Sequence, residues 1–513
     1  MRILLLLLLA SSLHAQNRPN IIYIMSDDHD ADAISAYNNT FIQTPALDRL
    51  AKEGMLFKNA FVGNSICSPA RATLLTGQHS HKNGIRDNRT PFDGTKITLP
   101  KLMSAAGYQT ALVGKWHLHS LPTGFDFWRV LPGQGAYYRP ALIHMNNDTV
   151  HYEGYTTDVI TDQALQFLQA RDRSKPFMLL LHHKAPHRNW VPTLKNLRIF
   201  SQKTFPEPPT LFAKMEEHGK AWQTQRMSIM KDMTWCTDLK LDPEQIRHLP
   251  GIQLDSNEAR GYRFFMNRIP EADRLEMQKI YAYRAEQLKA AWGNDVAILK
   301  LKYQWYMQDY LACIASVDES TGKVLDYLDQ EGLANNTVVI YTSDQGFYLG
   351  ENGWFDKRWM YDVSMQTPLI IRWPGQITPG STSSTLIQNI DYAPSILDMA
   401  GVPRPDWMQG LSIKPVLTGE NPTLPRKNLY YHYYEYPIDH YVLPHLGIRG
   451  ERYKLIYFYT VNEWELYDLQ KDPAEQQNVA AVKKYKKILS KMKAALLEER
   501  NRYDDHETAG LLH

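Results

Sequence analysis

Four short apolar runs, each closed by polar residues able to do chemistry, constrain this sequence more than any other feature. Ile21, Ile22, Tyr23, Ile24 and Met25 form the first and run into Ser26, Asp27 and Asp28. Residues 110–113 form the second, followed by Gly114, Lys115, Trp116 and His117. Residues 177–181 lead into His182, His183, Lys184, Ala185, Pro186 and His187. Residues 338–341 lead into Thr342, Ser343, Asp344, Gln345 and Gly346. Continuous apolar runs of strand length suit parallel strands covered on both faces. Open α/β sheets place their ligands at the carboxyl ends of such strands. Four ends of this kind predict an active site along one edge of a sheet.

The segments between the runs read as helices. Residues 44–54 start at Thr44 and Pro45 and stop at Gly54, residues 99–107 form a short helix, and residues 303–330 a long one. Residues 391–400 form another, closed by Gly401. Residues 198–300, rich in Met, Gln, Lys and Glu, read as a helical insertion beside the sheet. Composition changes between 401 and 419, which divides the chain into a domain at 16–405 and a C-terminal α+β unit at 406–513. In the latter, short aromatic strands at 430–436, 446–449, 453–459 and 464–469 precede a basic amphipathic helix at 482–502. That helix is expected to pack on a small antiparallel sheet rather than bind a membrane. The fold class is α/β: a large mixed, mostly parallel sheet sandwiched by helices, with a smaller C-terminal antiparallel sheet plus helix.

The first residues, Met1 and Arg2, an apolar run at 3–10 and small residues up to Ala15, read as a signal peptide at 1–15. No later apolar run approaches the roughly 18 residues of a transmembrane helix. The mature chain is therefore expected to lack a transmembrane segment and to be exported, periplasmic or secreted. A net charge of +2, with no block of like charge long enough for a nucleic-acid arm, argues against nucleic acid as a partner. Three cysteines do not make a disulfide scaffold. Cys313 lies in an apolar pattern that favours burial, and whether it pairs with Cys236 is left open.

Cys67 stands apart from both. It precedes Pro69, which suits the first turn of a helix, so Cys67 is placed at a helix N-terminus with Arg71 one turn on. Free N–H groups and an arginine there make an oxyanion site. A structural cysteine beside a surface arginine is the plainer alternative. Asp27, Asp28 and Asp344 can gather only around a cation, because like charges raise each other's pKa. With the Gln345 carbonyl they offer oxygen ligands, which suit calcium or magnesium rather than zinc. Taken singly, each aspartate could equally be a cap or a turn residue. Lys115 and His117, two apart in an extended segment, are expected to share a face.

The stretch Cys67-Ser68-Pro69-Ala70-Arg71, with Thr76-Gly77 after it, resembles the signature of type I, formylglycine-dependent sulfatases of the alkaline phosphatase superfamily. The resemblance covers about residues 19–410, in five separated segments that keep the family's order. It implies an alkaline phosphatase-like fold and oxidation of Cys67 to formylglycine by a formylglycine-generating maturation enzyme. Asp27, Asp28, Asp344 and Gln345 match the family's calcium ligands, with Gln345 where Asn is commoner, and modified Cys67 joins them. Gly114-Lys115-Trp116-His117 matches the segment whose lysine contacts sulfate and whose histidine takes the proton that releases it. His187 matches the sulfate-binding histidine and general acid. Lys357 matches the lysine that holds the sulfate and the leaving oxygen. The implied reaction has hydrated formylglycine attack sulfur in line, with calcium, Arg71, Lys115 and Lys357 stabilising charge.

Residues 447–456 resemble carbohydrate sulfatases of bacterial glycan-degrading systems, nearest to enzymes that remove 6-O-sulfate from N-acetylglucosamine in heparan-type chains. His445 and Arg449 are the candidate sugar contacts. The rival readings are a sulfatase for another glycan ester, a phosphate or phosphonate monoester hydrolase, a non-catalytic sulfated-glycan binding protein and a purely structural exported protein.

Overall fold

The alternation along the first strand sets the layers. β1 (Asn20–Ser26) is buried throughout. Its Ile22 and Ile24 enter one apolar cluster, and Ile21, Tyr23 and Met25 enter another on the opposite face. The computed structural model describes residues 18–214 and 218–507. The leader read at 1–15 lies outside them.

The strands that follow are β2 (Met55–Phe57), β3 (Ala60–Phe61), β4 (Gln109–Lys115), β5 (Phe127–Leu131), β6 (Ala141–His144), β7 (Thr149–His151) and β8 (Phe177–His182). After the insertion come β9 (Thr337–Ser343), β10 (Leu369–Arg372), β11 (Ser381–Ser383) and β12 (Ile387–Gln388). Ten of these form one sheet in the order β11-β2-β10-β9-β1-β8-β4-β5-β6-β7. Its centre, β9-β1-β8-β4-β5, is parallel, and antiparallel pairings join β10, β6 and β7 to it. Ser26 is level with Ser343, Met25 with His182, and His182 with Gly114. The four polar strand ends read from the sequence therefore emerge along one edge.

One face is covered by the long helix Asp295–Gln330, which buries Tyr306, Tyr310, Cys313 and Val317. It begins eight residues before the sequence reading placed it, where Asn294 caps the Ala297 N–H. The insertion helices Ser256–Met266 and Glu271–Ala291 join the same cluster. The other face is covered by the helices Cys67–Thr76 and Tyr392–Met399. Ile413, Val416, Leu417 and Leu424 still pack in that second cluster. The C-terminal sheet then begins, with β13 (Asn428–Tyr433), β14 (His445–Gly450), β15 (Tyr453–Phe458) and β16 (Glu463–Asp468) antiparallel in that order. Helix Lys486–Tyr503 packs against it. Cys236 and Cys313 are both free and buried.

Candidate active site

The site is assembled from strand ends and one helix start. Cys67 is the first residue of helix Cys67–Thr76, after the extended residue Ile66, and is fully buried. Its Sγ lies 3.4 Å from Asp27 Oδ1, 3.6 Å from Gln345 Nε2 and 3.8 Å from Lys115 Nζ. Burial, and then the Asp27 charge, push the thiol well above its ordinary pKa, so unmodified Cys67 is no thiolate. Arg71 falls one turn later, on the same side of the helix. It donates through Nη1 to the Lys115 carbonyl at 2.7 Å and through Nη2 to Asp344 Oδ2 at 2.9 Å, with Asp27 Oδ2 at 3.4 Å.

Asp27 and Asp28 follow β1. Asp28 has a φ of 65°. The Tyr310 hydroxyl fixes that turn by donating to the Asp28 carbonyl at 2.8 Å while accepting the Asp30 N–H at 2.9 Å. Lys115, the last residue of β4, donates to Asp27 Oδ2, and Lys357 donates to Asp28 Oδ2 at 2.7 Å. Three buried cations, Arg71, Lys115 and Lys357, thus face three buried carboxylates. Burial would raise Asp27, yet Lys115, His187 and Arg71 hold it well below the usual carboxylate range. Burial, then Asp27, pushes Asp344 up to about 7. Asp28 is also raised by burial, against the pull of Lys357.

These residues fit a hard dication. Asp27, Asp28 and Asp344 bring carboxylate oxygens within 4.8 Å of one another. Gln345 Oε1 is buried beside them with no hydrogen-bond partner, while its Nε2 donates to Asp28 Oδ1. An orphaned amide oxygen next to three carboxylates makes an all-oxygen donor set of the kind hard cations take.

The two histidines differ in setting. His187 engages the Arg188 carbonyl through Nδ1, which leaves Nε2 facing inward, 3.8 Å from Asp28 Oδ2. Burial and Lys115 hold it well below its ordinary pKa. His117 is pushed down to about 2 by burial, Lys115 and Arg71. It does not continue an extended segment with Lys115, as the sequence reading had it. β4 ends at Lys115 and His117 has a φ of 54°, which turns its Nδ1 to within 3.4 Å of Ser68 Oγ. The Ser68 hydroxyl donates to the His117 carbonyl at 2.6 Å and so holds that turn.

Asp27, Asp28, Cys67, Arg71, Lys115, His117, His187, Asp344, Gln345 and Lys357 therefore converge, and two expected residues do not. His445 is fully buried, with its Nδ1 2.8 Å from the Leu443 carbonyl and its Nε2 accepting the Met360 N–H at 3.1 Å. Both ring nitrogens are used inside the protein, which corrects its assignment as a sugar contact. Arg449 donates to Asp362 Oδ2 at 2.9 Å and stacks its guanidinium over Phe61 at 4.5 Å, a structural role again.

A charged group at the site was missed. Arg188 pairs with Asp238 of the insertion at 2.6 Å and lies 3.2 Å from His440 Nε2. His440 Nε2 is also 3.2 Å from Asp356 Oδ2. Arg358 binds Asp356 at 3.1 Å and Glu435 at 2.6 Å. Arg188 adjoins His187, and Asp356 and Arg358 flank Lys357, so adjacency was the available signal. Nothing local marks Asp238, whereas His440 lies in the same aromatic, basic stretch as His445 and Arg449, from which the wrong members were chosen as sugar contacts.

A family model described as Sulfatase matches residues 19–402, and one described as N-sulphoglucosamine sulphohydrolase, C-terminal, matches residues 350–502. An N-acetylglucosamine-6-O-sulfatase of Bacteroides thetaiotaomicron is 46% identical over 496 residues, covering 96% of this chain and 88% of that protein. A solved structure in complex with its substrate D-glucosamine-2-N,6-O-disulfate is 45% identical, with a TM-score of 0.90 over 96% of this chain and 99% of that one. A phosphonate monoester hydrolase of Agrobacterium radiobacter, 22% identical with a TM-score of 0.69 over 95% of this chain and 96% of that one, shares the fold. Since the sulfatase match spans all the strand-end groups that gather around Cys67, the chain belongs to the sulfatase family and is a sulfuric ester hydrolase.

Proposed function

We propose that this sulfatase removes the 6-O-sulfate of an N-acetylglucosamine-type sugar in a heparan-type glycan, after export and conversion of Cys67 to formylglycine, with calcium in the carboxylate cluster. The observation that carries the reading is the convergence on Cys67 of Asp27, Lys115 and Gln345 within 3.8 Å, in a chain 46% identical to an N-acetylglucosamine-6-O-sulfatase.

Formylglycine, when formed, supplies a hydrated aldehyde as nucleophile, and calcium, when bound by Asp27, Asp28, Asp344 and Gln345, supplies a Lewis acid for the sulfuryl oxygens. The residues around them divide the remaining work. Lys115 and Lys357 neutralise the incoming ester from two sides, and Arg71 keeps Asp344 and Asp27 in place. His187, with Nδ1 engaged by the Arg188 carbonyl, presents Nε2 to the leaving oxygen. Burial and then Lys115 keep this ring neutral; the arriving anion offsets the Lys115 repulsion and supplies a partner for the charged form, and the protonated ring then serves as general acid. His117 is neutral at working pH and so is free to accept the proton whose removal lets sulfate go. Arg188 and His440, the more open of the charged groups beside His187 and Lys357, supply donors for the sugar hydroxyls, with His440 held by Asp356 and Asp356 by Arg358.

The test is regiospecific turnover by protein exported from a host with a formylglycine-generating enzyme. Sulfate release from 6-O-sulfated N-acetylglucosamine, and none from 3-O- or 4-O-sulfated isomers, supports the reading. Release from another position in preference overturns it.

A further inference from the structure

The basic C-terminal helix holds a charge pattern that the active site does not use. Between Glu475 and Glu498 the chain has no acidic residue, yet it carries Lys483, Lys484, Lys486, Lys487, Lys491 and Lys493. All but the half-buried Lys493 are exposed, and among the described residues none of the six pairs with a carboxylate. Lys493 lies over the Trp464 ring at 3.9 Å. Several lysines on other helices are neutralised by contrast: Lys195, Lys279, Lys289 and Lys323 each hold a glutamate or aspartate within 2.8 Å, and the buried Lys302 is held by backbone carbonyls.

This arrangement works against the helix itself. Helix Lys486–Tyr503 has no acidic residue in its first turn, whereas Glu271–Ala291 and Asp295–Gln330 both do. Cations at a helix N-terminus oppose its dipole. Lys487 and Lys491 repel at i,i+4 spacing, and Lys483 precedes them by the same step. The apolar face is not free either, because Tyr485, Met492 and Leu496 pack on Leu455, Tyr457 and Leu466. With that face occupied, the helix has no apolar stripe left to insert into a bilayer, and apart from the single exposed side chains Val482 and Leu497 it is the lysine face that is offered to a partner.

We propose that this face is a second binding site for the sulfated glycan chain, engaging sulfate groups of the polymer away from the reacting sugar. The partner's class rests on the substrate read above, and charge complementarity supplies the recognition. A chain held at two places gains effective concentration at the active site, while a monosaccharide cannot use the second contact.

The test is the full chain carrying K483Q, K484Q, K486Q, K487Q and K491Q together. Glutamine keeps helix propensity, and Lys493 is retained on Trp464. Binding to immobilised heparan sulfate is expected to weaken at least fivefold, with a shallower dependence on salt. The melting temperature is expected to hold or rise, since the repulsion along the helix is relieved, and turnover of 6-O-sulfated N-acetylglucosamine stays as in the parent. Equal affinity for heparan sulfate overturns the proposal, as does a variant that loses affinity only for phosphatidylglycerol vesicles. Because binding is read directly, a parent inactive on the monosaccharide refutes the proposed activity and leaves this result standing.

Discussion

Arg71 Nη2 donates to Asp344 Oδ2 at 2.9 Å, tying the helix that starts at Cys67 to the end of β9. Both groups are buried, so neither has water as a substitute partner. Replacing Arg71 with Met leaves Asp344 and Asp27 short of a cation. The expected cost is about 3–5 kcal/mol of stability, together with a fall in kcat of about 10²–10³. Urea unfolding and steady-state kinetics on the same preparation check both.

As the proposed precursor of the nucleophile, Cys67 predicts a loss of chemistry without a loss of packing. Cys67→Ala removes one buried sulfur at the end of a helix, so the fold is expected to persist with a loss of no more than about 1–2 kcal/mol. Sulfatase turnover should fall to background, because the nucleophile's precursor is gone. Circular dichroism melting paired with a sulfate-release assay separates these outcomes.

The carboxylate cluster predicts a dependence on a divalent ion. Treatment with a calcium chelator should abolish turnover and lower the melting temperature, since a ligand held only by the folded state stabilises it by mass action. Added calcium should restore both. Gln345→Leu, which lacks the orphaned oxygen, should require more calcium for half-maximal activity.

Glu465 gives the fold a pH dependence remote from the site. It is buried, its carboxylate accepts from the Tyr361 and Tyr467 hydroxyls at 2.8 and 3.1 Å, and burial raises it from an ordinary 4.5 to about 8. The folded chain keeps a proton that the unfolded chain releases. Its contribution is therefore full below pH 4.5 and is lost as the pH rises towards 8. Glu465→Gln should flatten the stability profile across that window, as read by denaturant midpoints.

His445 and Arg449 now predict a stability effect without a substrate effect. Arg449→Gln should lower the melting temperature by loosening Asp362 while leaving KM near the parent value. Arg188→Gln should raise KM for the sugar, because that guanidinium lies beside His187 and His440.

What the sequence revealed follows from where information is local. Each central strand carries its own apolar run, and its polar end travels with it, so β1, β4, β8 and β9 and their reactive residues could be read directly. Cys67 and Arg71 share one helix turn, which made their geometry predictable from spacing alone. His117 does not reach the cluster by the extended segment that its spacing from Lys115 suggested: its left-handed turn is held by Ser68 from another element. Asp238 reaches the site from the insertion, and a contact of that sequence separation leaves no local trace; His440, from beyond β13, stood in the right stretch but was not told apart from its neighbours. His445 misled because an aromatic, basic stretch looks the same whether it lines a pocket or fills a core.

The most direct test of the account joins modification to turnover. Preparations matured to different extents would be analysed for the mass of the peptide across Cys67 and, in parallel, for sulfate released from 6-O-sulfated N-acetylglucosamine. Rate per molecule is expected to rise in proportion to the fraction of chains carrying aldehyde and to extrapolate to zero for pure thiol. Turnover that is independent of that fraction, or absent from fully converted protein, would contradict it.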